Sequence, residues 1–249
     1  MQKNILEQNK KSWDAIADDW FGKTALPTYG VLIPSEEELN LFGDVNGKKV
    51  LDIGCGSGHS LKYLADKGAV ELWGLDISVK QIENARNFLA QSGYVSNLCN
   101  SPMEINPGIP NSYFDAVYSI YAIGWTLDIQ TTFEHIAGYL KAGGIFIFSW
   151  DHPFMHCIDV IENQLAFTGS YFETELFTFQ KGGHNVSLYN RKLSDYINAL
   201  AKAGFAIECL IEETDIGLLE TKNEFSSAYY SSLKARKFPM SFIIKARRL

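Results

Sequence analysis

The chain has 249 residues, of which 46% are hydrophobic and 20% are charged, and its formal net charge is −7. This composition is typical of a globular protein rather than of a disordered chain. The acidic charge argues against a nucleic-acid partner, because binding a phosphate backbone needs clustered Lys and Arg. We therefore expect one domain over residues 1–249 that binds no nucleic acid.

Cysteines and apolar runs indicate the compartment. Cys55, Cys99, Cys157 and Cys209 have no paired or CxxC spacing, which favours a reducing environment. No run approaches the roughly 18 apolar residues of a membrane span, and the opening sequence MQKNILEQNKK lacks the apolar core of a signal peptide. These features predict a cytoplasmic protein with no membrane contact.

The N-terminal part, residues 1–45, contains a helical pattern over Asn9–Phe21. Ser12 or Asp14 is a candidate N-cap for this helix, whose apolar face presents four residues: Trp13, Ile16, Ala17 and Trp20. Alone, this pattern predicts a short helix that packs two tryptophans on the core.

The most informative stretch is Val50–Asp76, VLDIGCGSGHSLKYLADKGAVELWGLD. It predicts a strand, a glycine turn at Gly54, Gly56 and Gly58, a helix, and a second strand that ends on Asp76. Glycines let the backbone approach a ligand closely, and the acid at the end of the second strand can accept hydrogen bonds from ribose hydroxyls. A dinucleotide fingerprint would need a third glycine at position 59, where this chain has His59.

Candidate helices and strands follow one another along the rest of the chain. Ser78 and Gln81 form a candidate capping box for a helix that runs to Gly93, and Asp128 is the candidate cap of another helix, which the glycines of LKAGG end. Further strands are predicted at Tyr94–Cys99, Phe114–Ile120, Ile145–Trp150, Phe205–Ile211 and Pro239–Ala246, with a helix over Arg191–Ala203. Residues 151–190 are too long for a simple connection and are predicted to be an aromatic insertion in which YFETELFTF forms a strand.

Four of these sequences resemble motifs of class I S-adenosylmethionine-dependent methyltransferases that act on small molecules. They are WDAIADDW at the N-terminus, LDIGCGSG, FDAVYS in the fourth strand, and LKAGG before the fifth strand. The resemblance implies a doubly wound, mostly parallel seven-stranded α/β sheet, the Rossmann-like methyltransferase fold, with an insertion after strand five. It also implies S-adenosylmethionine as cofactor, methyl transfer to a small-molecule substrate, and a lid role for residues 1–45.

The resemblance also implies roles for particular residues. Asp76 would hold the ribose, Gly54 and Gly56 would admit the methionine portion, and Asp52 would organise the loop around its amino group. Ser101 and Pro102 depart from the family pattern at the adenine, which makes Met103 the better candidate there. The full set of predicted cofactor residues is Asp52, Gly54, Gly56, Asp76, Ile77, Met103, Ser119 and Trp20.

Candidates for the acceptor side follow the fourth and fifth strands, where α/β sheets build their sites. They are Tyr121, Trp125 and His152, and His152 is also the one candidate general base. The cluster DHPFMHC offers potential zinc ligands, but a zinc site needs three or four converging ligands from more than one element, so we expect polar pocket lining and no metal.

The sequence is also compatible with two other functions. A protein that senses S-adenosylmethionine or its product would need the same cofactor site without an acceptor pocket. A nicotinamide-dependent oxidoreductase would share the strand-helix-strand unit and its acid. These patterns do not identify the acceptor, its nucleophilic atom or the oligomeric state.

Overall fold

A central sheet of seven strands organises the protein. The computed structural model describes residues 2–221 and 229–249. The strands of the main sheet and of two smaller hairpins are β1 (Lys49–Ile53), β2 (Glu71–Asp76), β3 (Ser96–Asn100), β4 (Phe114–Ile120), β5 (Leu140–Asp151), β6 (Ile158–Ile161), β7 (Gln164–Phe167), β8 (Leu176–Lys181), β9 (His184–Tyr189), β10 (Phe205–Ile211) and β11 (Ser241–Arg248).

The order in the main sheet is β10-β11-β5-β4-β1-β2-β3. The five strands from β1 to β5 pair in parallel, whereas β11 runs antiparallel to both of its neighbours, β5 and β10. This arrangement confirms the predicted fold. The chain order reverses between β1 and β4, and open α/β sheets bind ligands at the carboxyl ends of the strands at such a point.

Helices cover both faces of the sheet. They are α1 (Gln2–Ile16), α2 (Glu36–Leu39), α3 (His59–Asp66), α4 (Val79–Gln91), α5 (Ile129–Tyr139), α6 (Leu193–Lys202), α7 (Ile216–Thr221) and α8 (Ser232–Ala235). One buried cluster joins α5 and α6 to the sheet through Phe146 and Phe148. The other joins α3 and α4 to the opposite face through Ile147, as expected when alternate side chains of a strand point to opposite faces.

Two predicted helix caps are present. The N–H of Gln81 donates to Ser78 Oγ (3.1 Å), and the N–H of Thr131 donates to Asp128 Oδ1 (3.1 Å). Each side chain therefore satisfies a backbone donor of the first turn. The side chain of Gln81 donates to the carbonyl of Ala17 (3.5 Å) rather than back to Ser78 as a capping box requires.

The LKAGG sequence differs from its predicted role as a helix stop. Helix α5 ends at Tyr139, and Leu140 already pairs with Phe114 of β4. The next paired residue is Ile145, opposite Ala116, so the residues between Leu140 and Ile145 bulge out of the ladder. Gly143 has a φ of 74° in this bulge, a conformation that glycine adopts without strain.

The N-terminal helix begins and ends earlier than the predicted Asn9–Phe21, with Trp20 in a separate 3₁₀ turn at Asp18–Trp20, and a cap at Ser12 or Asp14 is wrong. Both residues lie near the end of α1, where their side chains bind other elements. Ser12 Oγ donates to the carbonyl of Asn185 (2.6 Å), and Asp14 Oδ1 accepts from Ser78 Oγ (2.7 Å). These bonds attach α1 to the insertion and to the start of α4.

Residues 151–190 have their own structure. They contain a 3₁₀ turn at Pro153–His156 and two antiparallel hairpins, β6-β7 and β8-β9. Strand β8 includes the LFTF part of the sequence predicted as a strand. The hairpin β8-β9 packs against α1, so the N-terminal helix and the insertion lie on the same side of the site.

Candidate active site

The glycine turn after β1 has the open backbone that its sequence predicts. Gly54 and Gly56 have φ values of 78° and 51°. A Cβ added to Gly54 would lie 2.3 Å from the Cβ of Ala122, whereas one added to Gly56 would meet no atom within 4 Å. Gly54 therefore permits close packing of two loops, and Gly56 leaves its backbone open to a ligand.

Asp76 connects this turn to the next helix. Its Oδ2 accepts from the N–H of Gly56 (2.9 Å) and its Oδ1 accepts from the N–H of Ser78 (2.8 Å). Burial raises the pKa of Asp76 to about 6, although these two hydrogen bonds act in the opposite direction. Each carboxylate oxygen keeps further acceptor capacity, so the group can also bind hydroxyl donors.

Asp52 is a second buried carboxylate beside the turn. It is only 2% exposed and borders the same cavity as Asp76. Burial, and secondarily the negative charge of Asp76, raise the pKa of Asp52 well above its usual range. A cation placed against it would offset this cost.

A cavity of about 940 Å³ extends from the glycine turn to an aromatic end under the insertion. It reaches seven of the predicted cofactor residues, which are Asp52, Gly54, Gly56, Asp76, Ile77, Met103 and Trp20. Two predicted acceptor residues, Tyr121 and Trp125, also border it. The structure thus brings together residues that lie more than 100 positions apart in the sequence.

Ser119 does not border this cavity. It is fully buried within β4, its backbone is paired opposite Phe148, and its Oγ donates to the carbonyl of Ile53 (2.7 Å). The cavity wall begins one residue later, at Ile120. Ser119 therefore lies one residue before the cavity wall, and its contact with the cofactor stays a prediction.

His152 is also turned away from the cavity, contrary to the prediction of an acceptor contact or a general base. It is 3% exposed, and its Nδ1 accepts from the N–H of Phe154 (3.2 Å), which caps the following 3₁₀ turn. Its Nε2 lies 2.7 Å from Glu212 Oε1. Burial lowers the pKa of His152, although Glu212 opposes this effect. Both ring nitrogens are therefore engaged elsewhere.

The residue before it, Asp151, takes the position at the cavity that was expected for His152. Asp151 Oδ1 accepts from the hydroxyls of Tyr121 (2.5 Å) and Tyr230 (2.9 Å). Burial raises the pKa of Asp151 to about 6, and the tyrosine hydrogen bonds counteract it. The sequence held one signal for this residue: it is the acid that closes a central strand, as Asp76 is.

Three tryptophans and a lysine form a cluster at the aromatic end. The Nζ of Lys181 lies 3.9 Å from the ring centroid of Trp20, 5.6 Å from that of Trp13 and 5.7 Å from that of Trp125. We call Trp13, Trp20 and Trp125 the tryptophan cluster. It joins α1, the turn after it, the loop after β4 and the hairpin β8-β9 in one wall.

Metal-binding and membrane-spanning features are absent from the part of the chain that the structure describes. Residues 2–221 and 229–249 contain no group of three or more His, Cys, Asp or Glu side chains arranged to hold a metal ion. Within the same ranges, no helix is long and apolar enough to cross a bilayer.

Comparison with known proteins shows the class of protein to which this fold and cavity belong. The family model described as a methyltransferase domain matches residues 51–148. A crystal structure from Listeria monocytogenes, provisionally assigned to the S-adenosylmethionine-dependent methyltransferases, has a TM-score of 0.70 and 26% identity, and covers 86% of this chain and 97% of that one. Fold and domain together define a class I S-adenosylmethionine-dependent methyltransferase.

Two curated relatives extend the comparison. An uncharacterized protein of Haemophilus influenzae is 29% identical over 88% of each chain. The ubiquinone biosynthesis O-methyltransferase of a Shewanella species is 31% identical over 107 residues, which are 43% of this chain and 45% of that enzyme. The protein is accordingly a methyltransferase that uses S-adenosylmethionine, and it is similar to the named enzyme over less than half of that enzyme's length.

Proposed function

We propose that the protein transfers a methyl group from S-adenosylmethionine to a small molecule bound at the aromatic end of the cavity. In this proposal the nucleoside lies against Asp76, Ile77 and Met103, and the methionine portion lies against Gly54, Gly56 and Asp52. Trp20 closes the site from the N-terminal segment. The proposal assigns no contact to Ser119 or His152, because neither borders the cavity.

The observation that carries the proposal is the environment of Asp76. Backbone N–H groups of Gly56 and Ser78 hold its two oxygens in place, so the carboxylate is oriented before any ligand arrives. Its remaining acceptor capacity suits the two hydroxyls of a ribose. The open side of Gly56 and the buried carboxyl group of Asp52, which a cation would favour in its ionised form, suit a polar, cationic amino acid portion beside it.

The bound cofactor supplies a methyl group that its sulfonium has already activated. The residues of this chain then have to orient the acceptor and exclude water. Trp125 and Trp150, whose ring centroids are 5.7 Å apart, form an apolar wall for this purpose, and Tyr121 and Asp151 supply polar groups in the same cavity. No covalent intermediate with a side chain is required.

Domain roles and location belong to the same proposal. We assign residues 1–249 to one methyltransferase domain, residues 1–45 to its N-terminal lid, and residues 151–190 to a substrate-side insertion. Cytoplasmic action is supported by the cysteines at positions 55, 99, 157 and 209, which are all free. The acidic net charge supports a small-molecule partner over nucleic acid.

The variant Asp76→Asn tests the cofactor site. We expect it to weaken binding of S-adenosylhomocysteine, the product form of the cofactor, by at least about tenfold, since hydrogen bonds to a charged acceptor contribute about 1.5–3 kcal/mol. Isothermal titration calorimetry measures the change. Asp44→Asn, which alters an exposed loop carboxylate, is the matched control and should bind like the wild type.

Equal affinity of Asp76→Asn and the wild type would contradict the assignment. Weakened binding in both variants would show that net charge, rather than this site, controls affinity.

A further inference from the structure

The cavity has an acidic lining. Six carboxylates and two lysines border it: Asp52, Asp76, Glu104, Asp151, Asp159 and Glu173, with Lys23 and Lys181. Asp52 and Asp76 belong to the cofactor end, and Glu104 is engaged by Thr126 and Leu127. Among the others, Asp151 is the last residue of the central strand β5, and open α/β sheets bind ligands at the carboxyl ends of their strands.

Asp151 is oriented by neutral hydroxyl donors. Tyr121 and Tyr230 donate to it, and Tyr121 is itself fixed by Ser241 Oγ at 2.8 Å. Across residues 2–221 and 229–249, no lysine, arginine or histidine forms an ion pair with Asp151. The charge of Lys181 lowers the pKa of Asp151 without an ion pair between them, and Lys234 also interacts electrostatically with Asp151. Phenol hydroxyls orient a carboxylate, but they do not neutralise it.

Aromatic rings line the same cavity as this carboxylate. The rings of Tyr121 and Trp150 have centroids 5.5 Å apart, and Trp125 lies edge-on to Trp150. The face of an aromatic ring attracts cations through its quadrupole. The same wall already holds one cation, because the ammonium of Lys181 lies over the tryptophan cluster.

We propose that the acceptor carries a basic nitrogen, which binds in its protonated form to the carboxylate of Asp151 between the rings of Tyr121, Trp125 and Trp150. This inference rests on the proposed function and names the substrate class of its acceptor site. A cationic N–H donates to Asp151 and offsets its buried charge, whereas a neutral hydroxyl donates one hydrogen bond and leaves the charge in place. The buried charge therefore favours an amine over an alcohol.

A set of three matched probes tests this proposal. Benzylamine, benzyl alcohol and benzoate share one ring and differ in the charge of the polar group. Binding of each to the wild-type protein is measured by calorimetry in the presence of saturating S-adenosylhomocysteine. We expect benzylamine to bind at least about tenfold more tightly than benzyl alcohol, and benzoate to bind most weakly.

Two variants locate the preference. Asp151→Asn should abolish the advantage of benzylamine over benzyl alcohol, and Glu173→Gln, which removes an exposed carboxylate from the same cavity, should keep it. Near-ultraviolet circular dichroism checks that each variant is folded. If Asp151→Asn does not fold, the comparison of probes on the wild type still decides whether the site selects a cation.

The possible outcomes separate the two proposals. Suppose that the protein binds S-adenosylhomocysteine but binds benzyl alcohol or benzoate as tightly as benzylamine, or more tightly. This result would overturn the amine acceptor and leave the methyltransferase function standing. An unchanged preference for benzylamine in Asp151→Asn would overturn the role of Asp151. Failure of S-adenosylhomocysteine to bind would instead contradict the cofactor site.

Discussion

At the scale of single residues, the site depends on carboxylates that are buried around one cavity. Asp76 is held by two backbone N–H groups, and Asp151 is held by phenol hydroxyls. Burying an ionised group without a cation costs free energy, and this cost appears as the raised pKa values of both residues. A ligand that donates to these oxygens recovers part of that cost.

The pKa of Asp76 predicts a pH dependence of cofactor binding. Ribose hydroxyls donate to the ionised carboxylate, so binding needs the proton to be absent. Because burial raises the pKa of Asp76 to about 6, the affinity for S-adenosylhomocysteine should be constant above about pH 7 and fall about tenfold per pH unit well below pH 6. Calorimetry between about pH 5 and pH 8 measures this profile.

Two variants identify the titrating group in that profile. Asp151→Asn should keep the pH dependence, although the carboxyl group of Asp151 in the wild type has a pKa similar to that of Asp76. Asp76→Asn should bind S-adenosylhomocysteine weakly, with a flatter pH profile. A profile in Asp76→Asn that still falls at low pH like that of the wild type would assign the dependence to another group.

At the scale of elements, the N-terminal helix and the insertion form one cover. The side-chain amide of Asn9 in α1 donates to the carbonyl of Ser187 in β9 (2.7 Å), and Asn9 Oδ1 accepts from the N–H of Ser187 (2.8 Å). These two buried hydrogen bonds join the backbone of β9, at the edge of the β8-β9 hairpin, to α1. Gly182 in the hairpin turn lies against Ile16, where a Cβ would be 2.8 Å from Ile16 Cγ2.

The variant Asn9→Ala tests this connection. It leaves the buried N–H and C=O of Ser187 without these partners, which costs about 1–3 kcal/mol per group, and it should increase hydrogen exchange in residues 184–189. Mass spectrometry of exchange measures the change. Lys11→Ala, on the exposed side of the same helix, should leave the exchange of that hairpin unchanged.

Equal exchange in Asn9→Ala and the wild type would mean that the hairpin is held in place independently of α1. Faster exchange throughout the sheet would indicate general destabilisation rather than loss of the cover.

At the scale of the whole molecule, sequence predicted the sheet and one end of the cavity better than the other end. The glycine turn, Asp76 and the caps at Ser78 and Asp128 depend on contacts within a few residues or within one strand-helix-strand unit, and such contacts leave readable patterns. The cover depends on contacts such as Asn9 with Ser187, which are separated by 178 positions. No local pattern reports a contact of that kind.

Side-chain direction explains the remaining errors. Asp151 and His152 are neighbours, and successive residues of an extended chain point to opposite sides. The sequence placed a polar pair at the end of β5, but it did not say which of the two faces the cavity. Ser119 is the related case within β4, since the cavity wall begins at the next residue, Ile120.

The central claim is that one cavity binds the cofactor at Asp76 and presents it to the aromatic end. A crystal structure of the protein with S-adenosylhomocysteine tests it most directly. We predict ribose hydroxyls within hydrogen-bonding distance of the Asp76 carboxylate and a sulfur atom directed toward Tyr121 and Asp151. A nucleoside bound away from Asp76, or a sulfur atom directed away from the aromatic end, would contradict it.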